Sequence, residues 1–205
     1  EQGPVGCVPA PVFPFGCAYI AEAIFPSSYL FTYFRGGGFD AGLLSFLEVG
    51  ADGSVNVSKL GLRPHVTAGC GGFIDITARG RKLVFSGTFR AAGIELAIED
   101  GKLRIVREGK FPKFVPSVEQ VTFSGRRALE QGQTVHYVTE RCVVELRPEG
   151  LTVIEVAPGV DVERDVVRQA GCPLRVAADL KTMDPRLFDP APMGLVLPPG
   201  RRHGT

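Results

Sequence analysis

Few side chains in this sequence could act as nucleophiles or metal ligands. There are three histidines, and the five cysteines are scattered, without a Cys-x-x-Cys spacing. No serine stands in a Gly-x-Ser-x-Gly motif, so serine catalysis is not indicated. Cys70 could be a nucleophile with His65 or His136, although a thiol flanked by glycines is more often incidental. The ligand spacing of a zinc site is absent, and we expect no metal.

The glycine loop Gly69-Cys70-Gly71-Gly72 is the best candidate for binding a charged group. We predict a helix over residues 73–78, with a strand as the alternative because Ile74 and Ile76 are β-branched. Glycines before a helix let backbone N–H groups converge on an anion. Such a loop could hold a carboxylate, a phosphate or a developing oxyanion. It is neither a Walker loop, since no Lys-Ser or Lys-Thr follows, nor a Gly-x-Gly-x-x-Gly fingerprint. A simple tight turn explains the same residues, so both interpretations stay open.

Three further features are weaker candidates. The run Gly36-Gly37-Gly38 indicates a bend or a close backbone approach. Glu140 lies between two apolar stretches, where we expect a carboxylate at a strand junction paired with a nearby arginine. Lys59 could meet a substrate carboxylate, although such a lysine is more often simply exposed.

The composition is that of a folded domain. Of 205 residues, 44% are hydrophobic and 22% are charged, which excludes a disordered chain. The net charge of +1 gives no basis for a nucleic acid or an anionic membrane as partner. No apolar run approaches the roughly 18 residues of a membrane span. The odd number of cysteines favours a reducing compartment over a disulfide framework.

Apolar spacing and turn residues predict the elements that position these candidates. We expect helices at residues 17–25, 39–49, 73–78 and 160–169. We expect strands at residues 31–34, 54–57, 82–85, 103–106, 120–123, 135–139, 142–146 and 151–156. This mixture predicts an open α/β sheet. One domain would span residues 1–193, followed by a Pro/Arg-rich tail at 194–205.

Several motifs occur in an order that is typical of one enzyme family. They are EQGPVG (1–6), GGGFD (36–40), VNVSK (55–59), GCGGFIDI (69–76), YVTER (137–141) and LTVIEVAPGVD (151–161). With these motifs the chain resembles the C-terminal, or β, half of the family I coenzyme A transferases. It is most similar to the acetate/propionate/3-oxoacid type, in which both halves lie on one polypeptide.

The resemblance implies a fold and a set of site residues. The fold would be an open, mostly parallel Rossmann-like α/β sheet with helices on both faces. Glu1 would be the nucleophile, and the backbone N–H groups of Gly71 and Gly72 would form the oxyanion hole. Contacts to substrate and coenzyme A would come from Gly36, Gly37, Gly38, Lys59, Gly69 and Cys70. A glutamate with an ordinary pKa of about 4.3 is ionised at pH 7 and needs no general base, which agrees with the few histidines.

The resemblance also implies partners. Coenzyme A would be a substrate, with no cofactor and no metal. The family builds its site between two halves, so we expect this chain to be inactive alone and to pair with the N-terminal, or α, half. That half would be a separate chain or part of the same polypeptide, in a homo- or hetero-oligomer located in the cytoplasm, or in the mitochondrial matrix of a eukaryote. An acyl-CoA hydrolase and a non-catalytic effector-binding domain of the same fold remain alternatives, and Glu1 argues against the second.

The sequence begins at Glu1 without a methionine, and we expect it to be a piece of something longer. One hypothesis is self-cleavage: the backbone nitrogen of a glutamyl thioester would attack its own activated carbonyl and expel coenzyme A. Hydrolysis of the resulting acylated lactam would then cut the chain before Glu1. A separately encoded subunit trimmed by a protease, or a deliberately shortened chain, would begin in the same way.

Overall fold

A computed structural model describes residues 2–10, 16–60, 63–67 and 69–196. In these ranges the strands are β1 (Pro4–Val5), β2 (Val8–Pro9), β3 (Ala18–Tyr19), β4 (Ala23–Ile24), β5 (Ala41–Ser45), β6 (Glu48–Gly50), β7 (Val55–Asn56), β8 (Lys59–Leu60), β9 (Arg63–Thr67), β10 (Lys82–Ser86), β11 (Arg90–Ala91), β12 (Glu95–Glu99), β13 (Lys102–Arg107), β14 (Phe111–Pro112), β15 (Phe114–Val115), β16 (Thr134–Val138), β17 (Cys142–Arg147), β18 (Gly150–Val156) and β19 (Arg175–Thr182). The α-helices are α1 (Ser27–Arg35), α2 (Phe73–Arg79) and α3 (Gly125–Glu130). A π-helical turn (Val162–Val166) continues into a 3-10 turn (Val167–Gln169), and a second 3-10 turn covers Pro185–Phe188.

A six-stranded sheet in the order β19-β18-β17-β16-β10-β5 forms the centre of the domain. Strands β5, β10 and β16 run parallel, β17 and β18 continue as an antiparallel meander, and β19 is parallel to β18. Three of the five neighbouring pairs are therefore parallel, which confirms the predicted open, mostly parallel α/β sheet.

Both faces of this sheet bury apolar side chains. Successive side chains of a strand point to opposite faces, and β17 shows the consequence. Val144 belongs to the larger core cluster, whereas its neighbour Val143 packs against a smaller cluster around Met183 and Phe188. In the larger cluster, Phe85 and Tyr137 are register partners of β10 and β16, with ring centroids 5.7 Å apart.

Helix α2 lies close against the parallel part of the sheet. Phe73 and Thr77, one turn apart, are its buried residues. The ring of Phe73 lies 5.6 Å from that of Phe85 in β10. A Cβ on Gly42 in β5 would come within 2.9 Å of Ile76, so a side chain there would push the helix away from the sheet. The predicted helix over 73–78 and the predicted strand over 82–85 are both confirmed.

Two predictions before residue 36 are wrong in element type. Residues 17–25, expected as a helix, contain β3 and β4, which pair with β2 and β1. Residues 31–34, expected as a strand, lie in α1. Pro26 stands at the N-cap of α1, and its carbonyl accepts the N–H groups of Tyr29 and Leu30. These local signals outweigh the strand propensity of the aromatic residues.

Later predictions are mostly confirmed, with three differences. Residues 39–49, expected as a helix, form β5 and β6, because β5 pairs residue for residue with β10. In the segment 120–123, expected as a strand, only Phe123 makes a bridge, to Val55. The helix expected over 160–169 exists as π and 3-10 turns rather than an α-helix. The strands expected within 54–57, 103–106, 135–139, 142–146 and 151–156 are confirmed. Within the described residues, no helix is both long and apolar enough to cross a membrane.

Candidate functional site

The glycine loop (residues 69–72) forms a tight turn that leads into α2. Gly71 has a φ of +52°, in the left-handed region that favours glycine. The N–H of Phe73 donates to the carbonyl of Cys70 over 3.0 Å. Among the described residues, the N–H of Gly71 has no hydrogen-bond acceptor. Within the same residues, nothing lies within 4 Å of a Cβ placed on Gly69. The segment is therefore a turn that also leaves a backbone donor for an anion, which is compatible with both interpretations of its sequence.

The loop lies toward the carboxyl ends of the parallel strands. Helix α2 ends at Arg79, with Gly80 as its C-cap, and the chain enters β10 at Lys82, so the helix runs antiparallel to that strand. Its first residue, Phe73, accordingly packs on Phe85 near the end of β10. Ligands of open α/β sheets bind outside the carboxyl ends of the strands. The loop thus occupies the edge at which this fold places its sites.

A half-buried lysine lies at the same edge, and the sequence reasoning did not identify it. The ammonium of Lys113 donates to the carbonyl of Phe46, directly after β5, over 2.7 Å, and lies 4.2 Å from the centroid of the Phe46 ring. Burial lowers the pKa of Lys113, and the negative charge of Glu140 opposes this shift. Lys113 stands in an irregular segment whose sequence carries no motif, so only the fold reveals its position.

Arg141 and two glutamates form an ion cluster just beyond β16. The Arg141 side chain is fully buried, and its Nε donates to Glu140 over 2.7 Å. Its terminal nitrogens bind both carboxylate oxygens of Glu108, at 2.7 and 3.1 Å, and one of them also donates to the carbonyl of Asp165. The second oxygen of Glu140 accepts the N–H of Phe89, after β10. The prediction that Glu140 is a carboxylate at a strand junction paired with an arginine is confirmed.

The three consecutive glycines end helix α1. The N–H groups of Gly36, Gly37 and Gly38 donate to carbonyls of the last turn of the helix. Gly37 has a φ of +75°, and a Cβ on Gly38 would overlap the ring of Tyr33. The predicted bend with close backbone approach is confirmed, and a role in substrate binding stays a prediction.

Lys59 is part of a polar turn after β7. Its ammonium lies 2.8 Å from Glu119. The buried Asn56 shapes the turn, because its side-chain oxygen accepts the N–H groups of Ser58 and Lys59 and its nitrogen donates to Glu48. Lys59 is therefore neither free nor simply exposed, and a substrate carboxylate would have to compete with Glu119.

The histidine candidates receive no support as partners of Cys70. His136 lies in β16, with its Nε2 3.7 Å from Glu145, and burial lowers its pKa while Glu145 opposes the shift. In the described part of the chain, no hydrogen bond joins Cys70 to His136. Glu1 and the side chain of His65 lie outside the described residues, so the structure does not test the assignment of the nucleophile.

Sequence comparison places this chain beside two curated enzymes. It is 42% identical over 198 residues to the acetate CoA-transferase YdiF of Escherichia coli K12 and 45% identical over 191 residues to the caffeate CoA-transferase of Acetobacterium woodii. These matches cover 97% and 92% of the chain but only 37% and 36% of the relatives, so the chain spans well under half of their length. No protein-family model matches the chain.

Solved structures show the same relationship. The acyl-CoA transferase YdiF of E. coli O157:H7 matches as an apoenzyme, with a TM-score of 0.88 at 41% identity, covering 97% of this chain and 37% of the other. Its thioester complex with CoA matches with a TM-score of 0.88 at 42% identity, covering 98% and 37%. Glutaconate coenzyme A-transferase from Acidaminococcus fermentans, at 15% identity and a TM-score of 0.64, covering 90% and 71%, shares the fold.

Proposed function

Since this chain belongs to the coenzyme A transferases, we propose that it forms part of an enzyme that moves coenzyme A from a short-chain acyl-CoA to a carboxylate acceptor. The observation that carries the proposal is the 42% identity and TM-score of 0.88 to an E. coli acyl-CoA transferase solved as a thioester complex with CoA. A thioester on the protein is the intermediate that a ping-pong transfer requires.

Glu1 is the proposed nucleophile. Its carboxylate attacks the carbonyl carbon of the acyl-CoA, the C–S bond breaks, and CoA leaves as a thiolate, which produces an acyl-glutamyl anhydride. The thiolate then attacks the glutamyl carbonyl and displaces the first carboxylate product, leaving a glutamyl-CoA thioester. An incoming carboxylate reverses both steps and departs as the new acyl-CoA. Because one thioester is exchanged for another, these reaction steps need no metal and no prosthetic group.

The glycine loop is the proposed oxyanion hole. Each step places a negative charge on a tetrahedral carbon, and backbone N–H groups fixed at that point stabilise it. The left-handed turn at Gly71 and its N–H, which has no acceptor in the described chain, support the assignment of Gly71, with Gly72 beside it. Gly69, Cys70, the Gly36–Gly38 segment and Lys59 remain proposed contacts to substrate and coenzyme A.

The proposed active unit contains more than this chain. The chain matches 37% of YdiF, so we assign the remainder of the site to an N-terminal, or α, half. That half would be part of the same polypeptide or a second chain, within an oligomer. A cytoplasmic or mitochondrial-matrix location, where acyl-CoA and free carboxylates meet, fits this activity.

The test uses the complete enzyme and a Glu1→Gln variant. We expect ping-pong kinetics with acetyl-CoA and a carboxylate acceptor, and transfer abolished in the variant, because an amide cannot form the anhydride or the thioester. Release of free CoA at the same rate with and without acetate would instead identify a hydrolase. Binding of acyl-CoA without any turnover would identify a non-catalytic effector-binding domain.

A further inference from the structure

Helix α1, with Phe25 just before it, carries an aromatic face that the described part of the chain leaves uncovered; the face is formed by Phe25, Tyr29 and Tyr33. Tyr29 is 64% exposed and Tyr33 50%, and the ring of Phe25 stacks on Tyr29 with centroids 5.6 Å apart. Of the nine residues of α1, only Leu30 is buried. A helix this short gains stability chiefly by packing an apolar side against other structure. Buried Leu30 and half-buried Phe34 pack one side of α1 against the domain, whereas Tyr29 and Tyr33 leave a second apolar side exposed to solvent.

The segment around α1 attaches to the rest of the domain chiefly through helix α2. Strands β1 to β4 pair only with one another and do not join the central sheet. In the described residues, no side chain that precedes Leu44 belongs to either core cluster or packs against it. Eight of the nineteen large apolar side chains that are exposed there lie between Val5 and Tyr33, so the exposed apolar surface is concentrated on this segment. Contiguous exposed apolar surface of this kind marks an interaction site.

Ile20 precedes the aromatic face in the sequence and has an unusual backbone conformation. Its φ is +55°, and its side chain is 87% exposed. A β-branched residue in the left-handed region is a genuine outlier, and such conformations persist where surrounding structure fixes them. Within the described chain almost nothing surrounds the side chain of Ile20. Strands β3 and β4 flank Ile20 and fix its backbone, and its side chain adds to the exposed apolar surface of this segment.

The charge and the length of the chain point to one occupant. The only charged residue of α1 is Arg35, which pairs with Asp75 over 3.2 Å, so the aromatic face carries no charge that would attract an anionic membrane or an acidic protein. The chain covers 37% of YdiF, so more than half of such a polypeptide is available to cover this face. We infer that the aromatic face, together with Ile20, docks against the N-terminal half of the enzyme. This inference rests on the proposed function, which assigns that half.

Hydroxyl-radical footprinting of the complete enzyme tests the inference, because it reads the exposure of individual aromatic rings by mass spectrometry. Phe111 is the internal reference, since it is 51% exposed and lies in β14, outside the segment around α1. We expect Phe25, Tyr29 and Tyr33 to oxidise at least about fivefold more slowly than Phe111, because the centre of an interface excludes water. Oxidation at the rate of Phe111 would overturn the inference.

A pair of variants in the complete enzyme adds a second measurement. Tyr29→Glu places a charge in the face and should raise the oxidation of Phe25 and Tyr33 toward that of Phe111. Val121→Glu, at a residue 60% exposed outside the proposed site, should leave both unchanged. If Tyr29→Glu does not fold, the footprint of the wild-type enzyme still decides.

Other occupants and the proposed function give distinct results. Protection that is lost when an oligomer dissociates on dilution, while this chain and the N-terminal half stay together, would identify a second copy of the chain. Protection that requires lipid vesicles would identify a membrane, and either result would overturn the inference. Acyl transfer is assayed on the same sample. A protected face in an enzyme that performs no acyl transfer supports the docking and contradicts the proposed function. Acyl transfer by an enzyme with an unprotected face supports the proposed function and contradicts the docking.

Discussion

Replacing Arg141 with methionine should destabilise the domain strongly. Methionine keeps much of the aliphatic volume but removes the guanidinium, which is fully buried and binds Glu140, Glu108 and the carbonyl of Asp165. The guanidinium carbon also lies 5.0 Å from the centroid of the Phe89 ring. The change therefore leaves two carboxylates without their shared cation.

The magnitude follows from how far each carboxylate can return to water. Removing one partner of a buried ion pair costs about 3–5 kcal/mol, because the other charge stays buried and unpaired. The side chain of Glu108 is 31% exposed and can be rehydrated, whereas that of Glu140 is only 13% exposed and remains enclosed. We therefore expect the lower end of the range, a loss of about 3 kcal/mol in the free energy of unfolding.

Equilibrium unfolding in urea, followed by far-UV circular dichroism, measures this loss. Arg104→Met is the matched control, because Arg104 also pairs with a glutamate, at 2.6 Å, but is 59% exposed, and an exposed pair contributes less than about 1 kcal/mol. Adding Glu140→Gln to Arg141→Met should recover part of the loss, because the amide carries no buried charge. If Arg141→Met costs no more than Arg104→Met, the buried cluster contributes no more to stability than an exposed ion pair.

Three further predictions concern titration, thiol reactivity and the glycine loop. Burial lowers the pKa of His136 from 6.5, so the unfolded chain binds the proton more readily and the stability of the domain falls as the pH drops below that value. Unfolding curves between about pH 7 and pH 5 should show a smaller loss of stability for His136→Gln than for the wild type. An equal loss of stability would contradict the lowered pKa of His136. Burial raises the pKa of Cys142 to about 12 and of Cys172 to about 11, so alkylation of the native chain near neutral pH should modify the exposed Cys17 and spare these two until urea is added. Gly71→Val should lower turnover of the complete enzyme by about 10²–10³ if the Gly71 N–H binds the oxyanion. Gly71→Asn should keep the turn, because asparagine tolerates the positive φ of this position. Turnover of Gly71→Val within a few-fold of wild type would show that the loop is only a turn.

The central sheet could be predicted where burial alternates along a strand. In β17, buried and half-buried residues alternate at every position, and the same period is visible in the sequence. The strand β5 could not be predicted, because its pattern of Leu43, Leu44 and Phe46 also fits a helix. Parallel pairing with β10, a tertiary contact, decides its conformation.

The hairpin of β12 and β13 could have been predicted, because its turn residues are visible in the sequence. Asp100 and Gly101 both have a positive φ, and Asp-Gly between alternating strands is a strong indicator of a two-residue hairpin turn. Only the second strand of this hairpin was expected.

The motifs of the candidate site could be predicted from the sequence, but the distant residues that contact them could not. The glycine loop and the pair of Glu140 with an arginine follow from local sequence. Glu108 and the Asp165 carbonyl reach Arg141 from distant parts of the chain, and Lys113 meets Phe46 only because two loops end at the same edge of the sheet. No local pattern encodes such contacts.

The mass of the Glu1 peptide tests the proposed chemistry most directly. The complete enzyme is incubated with acetyl-CoA without an acceptor, digested at mildly acidic pH to preserve thioesters, and analysed by mass spectrometry. The proposed mechanism predicts a coenzyme A adduct on Glu1 that disappears when a carboxylate acceptor is added and never forms in Glu1→Gln. An adduct confined to Cys70, or acyl transfer by an enzyme in which Glu1 is never modified, would contradict it.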